Sequence, residues 1–123
     1  MNHLKVFSIL ILLCSPAFAQ DALPTKMEGK WFNPGSGHSN KVEVEVLKMD
    51  SPTTASIRIT FWPYCRASES NAEFKDGAWT LTAKRCNTPG SPEIELQVRP
   101  VEGKKRLEGV YGGGNGRTVF LEW

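Results

Sequence analysis

Short runs of strict alternation between apolar and polar residues constrain this chain most. Over residues 41–46, Val42, Val44 and Val46 share one face while Glu43 and Glu45 share the other. A period of two places successive side chains on opposite faces of a strand, so this run predicts a half-buried β-strand. The pattern returns at 56–61 (Ile57, Ile59, Phe61), 79–84 (Trp79, Leu81, Ala83) and 94–98 (Ile94, Leu96, Val98). Shorter or weaker strands are expected at 29–32, 71–75, 106–111 and 118–123. Asp76-Gly77 is a tight hairpin dipeptide. No window carries a sustained helical stripe. Eight strands with mostly short connections predict an all-β fold, a single antiparallel up-and-down barrel of about eight strands; a two-sheet β-sandwich is the alternative.

The first nineteen residues stand apart. Lys5 precedes an apolar run over 6–13, too short to span a bilayer, and Ala17 and Ala19 form an A-x-A cleavage signal. Residues 1–19 are therefore expected to be a signal peptide removed on export, with 20–28 as a polar N-terminal arm and 29–123 as the barrel domain. No membrane span is expected after its removal. Lipidation at Cys14 is the alternative, although Leu13 departs from the small residue that precedes a lipobox cysteine. The expected localisation is periplasmic or secreted.

Export leaves Cys65 and Cys86, an even pair in an oxidising compartment, which reads as one disulfide. The loop it would close is worth about 3 kcal/mol in the chain-entropy account. With His38 as the remaining histidine, the cysteines make a poor metal site. Of 15 basic residues Lys5 falls in the leader, so 14 face 13 acidic ones. That balance argues against a nucleic-acid partner.

In an up-and-down barrel alternate connections share an end. By this parity the irregular loops 33–40, 62–70, 86–92 and 112–116 gather at one end, and the tight turns at 50–53, 76–77 and 100–103 at the other. Both cysteines land at the long-loop end, as a disulfide requires. Loops on a rigid scaffold often carry binding residues, so Trp62, Tyr64, Arg66, Arg85, Arg117 and His38 form the expected contact surface. It is mildly basic and suits an acidic partner or anionic ligand.

Catalysis has little support. His38 lies beside Ser36 and Ser39, with no third group to orient a base. Glu43, Glu45, Glu93 and Glu95 alternate outward and read as solvated faces. Residues 112–116 lack the lysine and following helix of a phosphate loop. No cofactor is implied.

Gly29-Lys30-Trp31 at the first strand resembles the G-x-W that opens lipocalins and related calycin-like barrels. The resemblance implies barrel architecture and a binding role, and an arginine near the last strand packed on that tryptophan, with Arg117 as counterpart. It implies no particular ligand. Trp31 is also expected to meet Trp123 across the first and last strands. The expected function is that of a non-enzymatic binding protein of the bacterial envelope, contacting a protein or glycan partner, as a hydrolase inhibitor would. A carrier of a small apolar ligand is the second reading and a small envelope enzyme the last.

Overall fold

The computed structural model describes residues 23–84 and 93–123. The leader, Cys14, Arg85, Cys86 and the loop at 87–92 lie outside the described residues. Eight strands follow in order: β1 (Lys26–Asn33), β2 (His38–Ser51), β3 (Thr54–Phe61), β4 (Cys65–Lys75), β5 (Ala78–Ala83), β6 (Ile94–Pro100), β7 (Arg106–Tyr111) and β8 (Thr118–Glu122). Each pairs antiparallel with its neighbour in sequence. β1 and β8 close the ring from Glu28↔Glu122 to Phe32↔Thr118, so the fold is an up-and-down barrel and not a sandwich.

The alternation explains the wall. Val42, Val44, Ile57, Ile59, Phe61, Leu81, Leu96, Val98 and Leu121 are buried inside, while the polar residues between them face out. On the outer face Arg58 crosses two ladders, 2.9 Å from Glu45 and 2.9 Å from Glu69. At Asp76-Gly77 the backbone takes φ values of 53° and 81°, the left-handed pair that a two-residue hairpin needs to match strand twist.

Gly29 of the G-x-W has a steric cause. It lies on the inward parity between Met27 and Trp31, where a β-carbon would fall 1.7 Å from the Phe120 carbonyl oxygen. Gly109 plays the same part against Gln97, at 1.8 Å. Strands at these two seams approach closer than a side chain allows.

Three expectations change. β1 begins at Lys26, within the segment expected as an arm, and Leu23 before it joins the core. The irregular stretch expected over 62–70 is mostly strand, because β4 runs from Cys65. Its inward residues include Ser68 and Ser70, so polarity hid the period. Trp123 does not meet Trp31: Trp31 pairs with Val119, and Trp123 is exposed at the other end of β8.

Candidate functional site

Parity places the connections 34–37, 62–64 and 112–117 at one end of the barrel, where β5 ends and β6 begins. The chemistry there turns on the β3–β4 corner. In β4, Ser68 and Ala72 point inward. A period of two carried back from Ser68 would bury Arg66, and an unpaired interior guanidinium costs several kcal/mol. A β-bulge prevents this. Ile59 faces Ser68 and Phe61 faces Cys65, so two residues, Arg66 and Ala67, oppose the single Thr60. Ala67 takes the left-handed conformation (φ 46°), and its N–H donates to Thr60 Oγ1 at 2.9 Å. Cys65 is thereby fully buried while Arg66 stands on the outer wall.

The core fixes what lies beside it. Trp31 Nε1 donates to the Trp62 carbonyl at 2.7 Å, and Trp62 N donates to the Lys41 carbonyl at 3.0 Å. Trp31 stacks on Phe61 with centroids 5.4 Å apart and planes 11° from parallel. Tyr111 lies 5.1 Å from Phe61, and its hydroxyl donates to the Phe32 carbonyl at 3.2 Å. Burial, the largest cause, raises the Tyr111 pKa; the charge of Arg117 opposes this and Tyr64 adds to it. Tyr64 sits 5.8 Å from Trp31 and stays 51% exposed, an aromatic cover over the barrel mouth.

On the outer wall the Arg66 guanidinium lies 4.3 Å from the centroid of the half-buried Trp62 ring. The pair borders a depression of about 540 Å³ that Asn40, Lys41, Glu43, Thr60 and Ala67 complete. Arg66 differs from other arginines of the molecule. Arg58 and Arg106 are each bound by two glutamates, which raise their pKa values, Glu69 and Glu108 being the foremost causes. Arg99 and Arg117 donate to the carbonyls of Asp76 and Gly112, each at 3.0 Å. Among the described residues Arg66 has its stacking contact and no oxygen acceptor.

The expected contact residues therefore separate. Trp62 and Arg66 come together on the outer wall, while Tyr64, in the same connection, packs toward Trp31 and Phe61 at the mouth. His38 opens β2 opposite Asn33, exposed, and does not line the depression. Arg117 turns back on its own connection, so the tryptophan contact that the lipocalin resemblance implies is made by Phe61, Tyr64 and Tyr111 instead. Arg85 and Cys86 are outside the described residues, and with them the pairing of Cys65.

Sequence reasoning missed Asn40, Lys41 and Thr60 as neighbours of Trp62. The signal was cross-strand: Val42 and Phe61 are paired, so their outward neighbours share one patch. Tyr111 was legible as the inward end of the alternation that begins at Leu107.

The corner can stack a ring, pair an anion and donate hydrogen bonds. The His38 imidazole makes no hydrogen bond or ion pair among the described residues. Nor does any group of three or more His, Cys, Asp or Glu among them have the placement to hold a metal ion. The closed eight-stranded antiparallel barrel is consistent with a lipocalin-like fold. No protein-family model, no curated protein and no solved structure matches the chain.

Proposed function

We propose that this protein is an exported, non-enzymatic binding module of the bacterial envelope. It contacts a protein or glycan partner through the barrel end that carries the β3–β4 corner, as an inhibitor of a hydrolase would. The observation that carries this reading is the Trp62–Arg66 stack: an aromatic ring and a cation without an oxygen acceptor, turned outward by a bulge beside exposed Tyr64. A rigid wall with such a corner favours recognition, since little ordering is left to be done on binding. The interior argues for contact outside the barrel over carriage within it. Val44, Ile59, Leu81, Leu96 and Leu121 are all at most 1% exposed, and large side chains fill the space between them.

The compartment and the staple belong to the same proposal. Cys65 opens β4 in the core, where a bond to Cys86 would tie the β5–β6 connection to the corner. Non-reducing mass spectrometry of the exported chain should find two hydrogens missing; two free thiols would remove the staple.

A photo-crosslinking residue at position 64 or at position 104 tests the surface. Tyr64 stands at the corner end and Lys104 in the turn at the opposite end. Adducts formed in the native envelope from position 64 and not from 104 are expected. Equal yields from both, or adducts from 104 alone, would overturn the choice of end.

A further inference from the structure

The depression beside Trp62 has an unusual hydrogen-bond inventory. Arg66 presents guanidinium N–H groups that no oxygen of the described residues accepts. The guanidinium carbon lies over the Trp62 ring, and a guanidinium so placed keeps N–H groups with which to grip a carboxylate. Lys41 supplies a second cation, 3.6 Å from Glu43 and well exposed. Asn40 Oδ1 accepts from the Lys41 N–H at 2.8 Å, which leaves the amide NH₂ of Asn40 to donate. Thr60 Oγ1 accepts from Ala67 N, which leaves its O–H to donate. The Trp62 indole N–H has no acceptor among the described residues either. Against these donors the wall offers one carboxylate among the described residues, Glu43.

A donor-rich wall with two cations and an aromatic ring selects a ligand rich in acceptors, carrying one negative charge and a ring face. We infer that this depression binds a carboxylate-bearing sugar, a uronic acid residue or its equivalent in an acidic glycan. Arg66 and Lys41 take the carboxylate, Trp62 supplies apolar surface to the C–H face of the ring, Asn40 and Thr60 donate to hydroxyl and ring oxygens, and Glu43 accepts from a hydroxyl. The volume of about 540 Å³ lies within the range of small-molecule sites. An acidic peptide fits less well. It would satisfy Arg66, but its backbone N–H groups need acceptors, and Glu43 is the single carboxylate among the described residues of the lining. The inference rests on the reading of this corner as the contact surface and names the glycan branch of it.

Calorimetric titration of the exported chain decides the matter, with trigalacturonic acid, its trimethyl ester and a glutamate-rich hexapeptide as probes. The acid should bind, and the ester, which keeps the rings and loses the charge, about tenfold more weakly. Arg66→Gln should weaken the acid by about tenfold and leave the ester unchanged. Trp62→Ala should weaken both, and Arg117→Gln neither. An unchanged near-ultraviolet dichroism spectrum for Arg66→Gln, an exposed position, separates lost binding from lost folding. Absence of heat with trigalacturonic acid, full binding by Arg66→Gln, or tighter binding of the hexapeptide would each overturn the inference. If crosslinks still form from position 64, only the sugar assignment falls; if they vanish too, the contact end falls with it.

Discussion

The two ends of the barrel are closed by different chemistry. At one, the connections are 52–53, 76–77 and 101–105, and the closing side chains are Leu23, Met27, Met49 and the Phe74–Trp79 pair at 5.3 Å. At the other, Trp31, Phe61, Tyr64 and Tyr111 pack together, and Trp31 and Tyr111 bind backbone carbonyls by their polar tips. Area alone seals the first end. The second uses buried aromatic rings with polar handles, which pin particular backbone atoms as well as exclude water. One pinned atom is the carbonyl of Trp62, whose own ring lies on the outer wall. Core packing and outer surface are thus coupled at the corner end, and the opposite end shows no equivalent among the described residues.

The strongest way to break this comparison is to empty each end in turn. Phe61→Ala and Trp79→Ala each remove a fully buried ring and should cost about 3–5 kcal/mol in urea unfolding. They should part company in conditions where both variants remain folded. Phe61→Ala withdraws the surface on which Trp31 stacks and should disturb capture at position 64, whereas Trp79→Ala should leave it intact. Equal loss of capture by the two variants would mean that the corner is not specifically coupled to the packing beneath it.

The sequence made the closed wall legible and the corner only in part, for a physical reason. Where an inward face is uniformly apolar, as with Val42, Val44 and Val46, the period reads directly. Asp76-Gly77 likewise declares its turn, since few other pairs tolerate two left-handed residues. In β4 the inward residues Cys65, Ser68 and Ser70 are small or polar, and the bulge shifts their parity by one between Cys65 and Ser68. An alternation test therefore sees no strand there. What looked like a nine-residue loop is a three-residue connection followed by a strand. The contrast between the ends is accordingly less one of loop length than expected. It is more one of which side chains the strand ends present. Arg117 shows a related limit: sequence placed it at the correct end, but it satisfies the Gly112 carbonyl of its own turn.

The bulge offers a finer cut. Thr60→Val removes the oxygen that accepts the Ala67 N–H, and should cost about 1 kcal/mol. Because the bulge is what turns Arg66 outward, capture at position 64 should weaken as well. Thr82→Val, at an outward position of β5 away from the corner, should leave capture unchanged. Ala67→Gly tests the same geometry in the opposite direction. Relief of the left-handed strain, of order 1–2 kcal/mol, exceeds the entropy that glycine loses on folding, so stability should rise slightly. A loss of stability in Ala67→Gly would mean that the conformation at 67 carries no strain and that the bulge is held by other contacts.

The smallest effect separates the ends by pH. Tyr111 is the buried titratable group of the aromatic end, while Trp79 and Phe74 at the other have nothing to ionise. The folded state raises the Tyr111 pKa, chiefly by burial, with Arg117 pulling the other way. Between the unfolded value near 10 and the higher folded value, the native state holds the phenolic proton that the unfolded chain releases. The contribution to stability is therefore complete below about pH 10 and falls as the pH rises through the folded pKa. Tyr111→Phe deletes this dependence together with the hydrogen bond to the Phe32 carbonyl, for a loss of about 0.5–1 kcal/mol at pH 7. Urea midpoints from pH 7 to 11 should then decline less steeply in Tyr111→Phe than in the parent chain, and the two curves should converge at the alkaline limit. Trp79→Phe should lower the midpoint by a constant amount across the whole range. Parallel curves for all three proteins would show that the phenol is as well solvated in the folded chain as in the unfolded one, and that this end is no more closed to water than its loops make it.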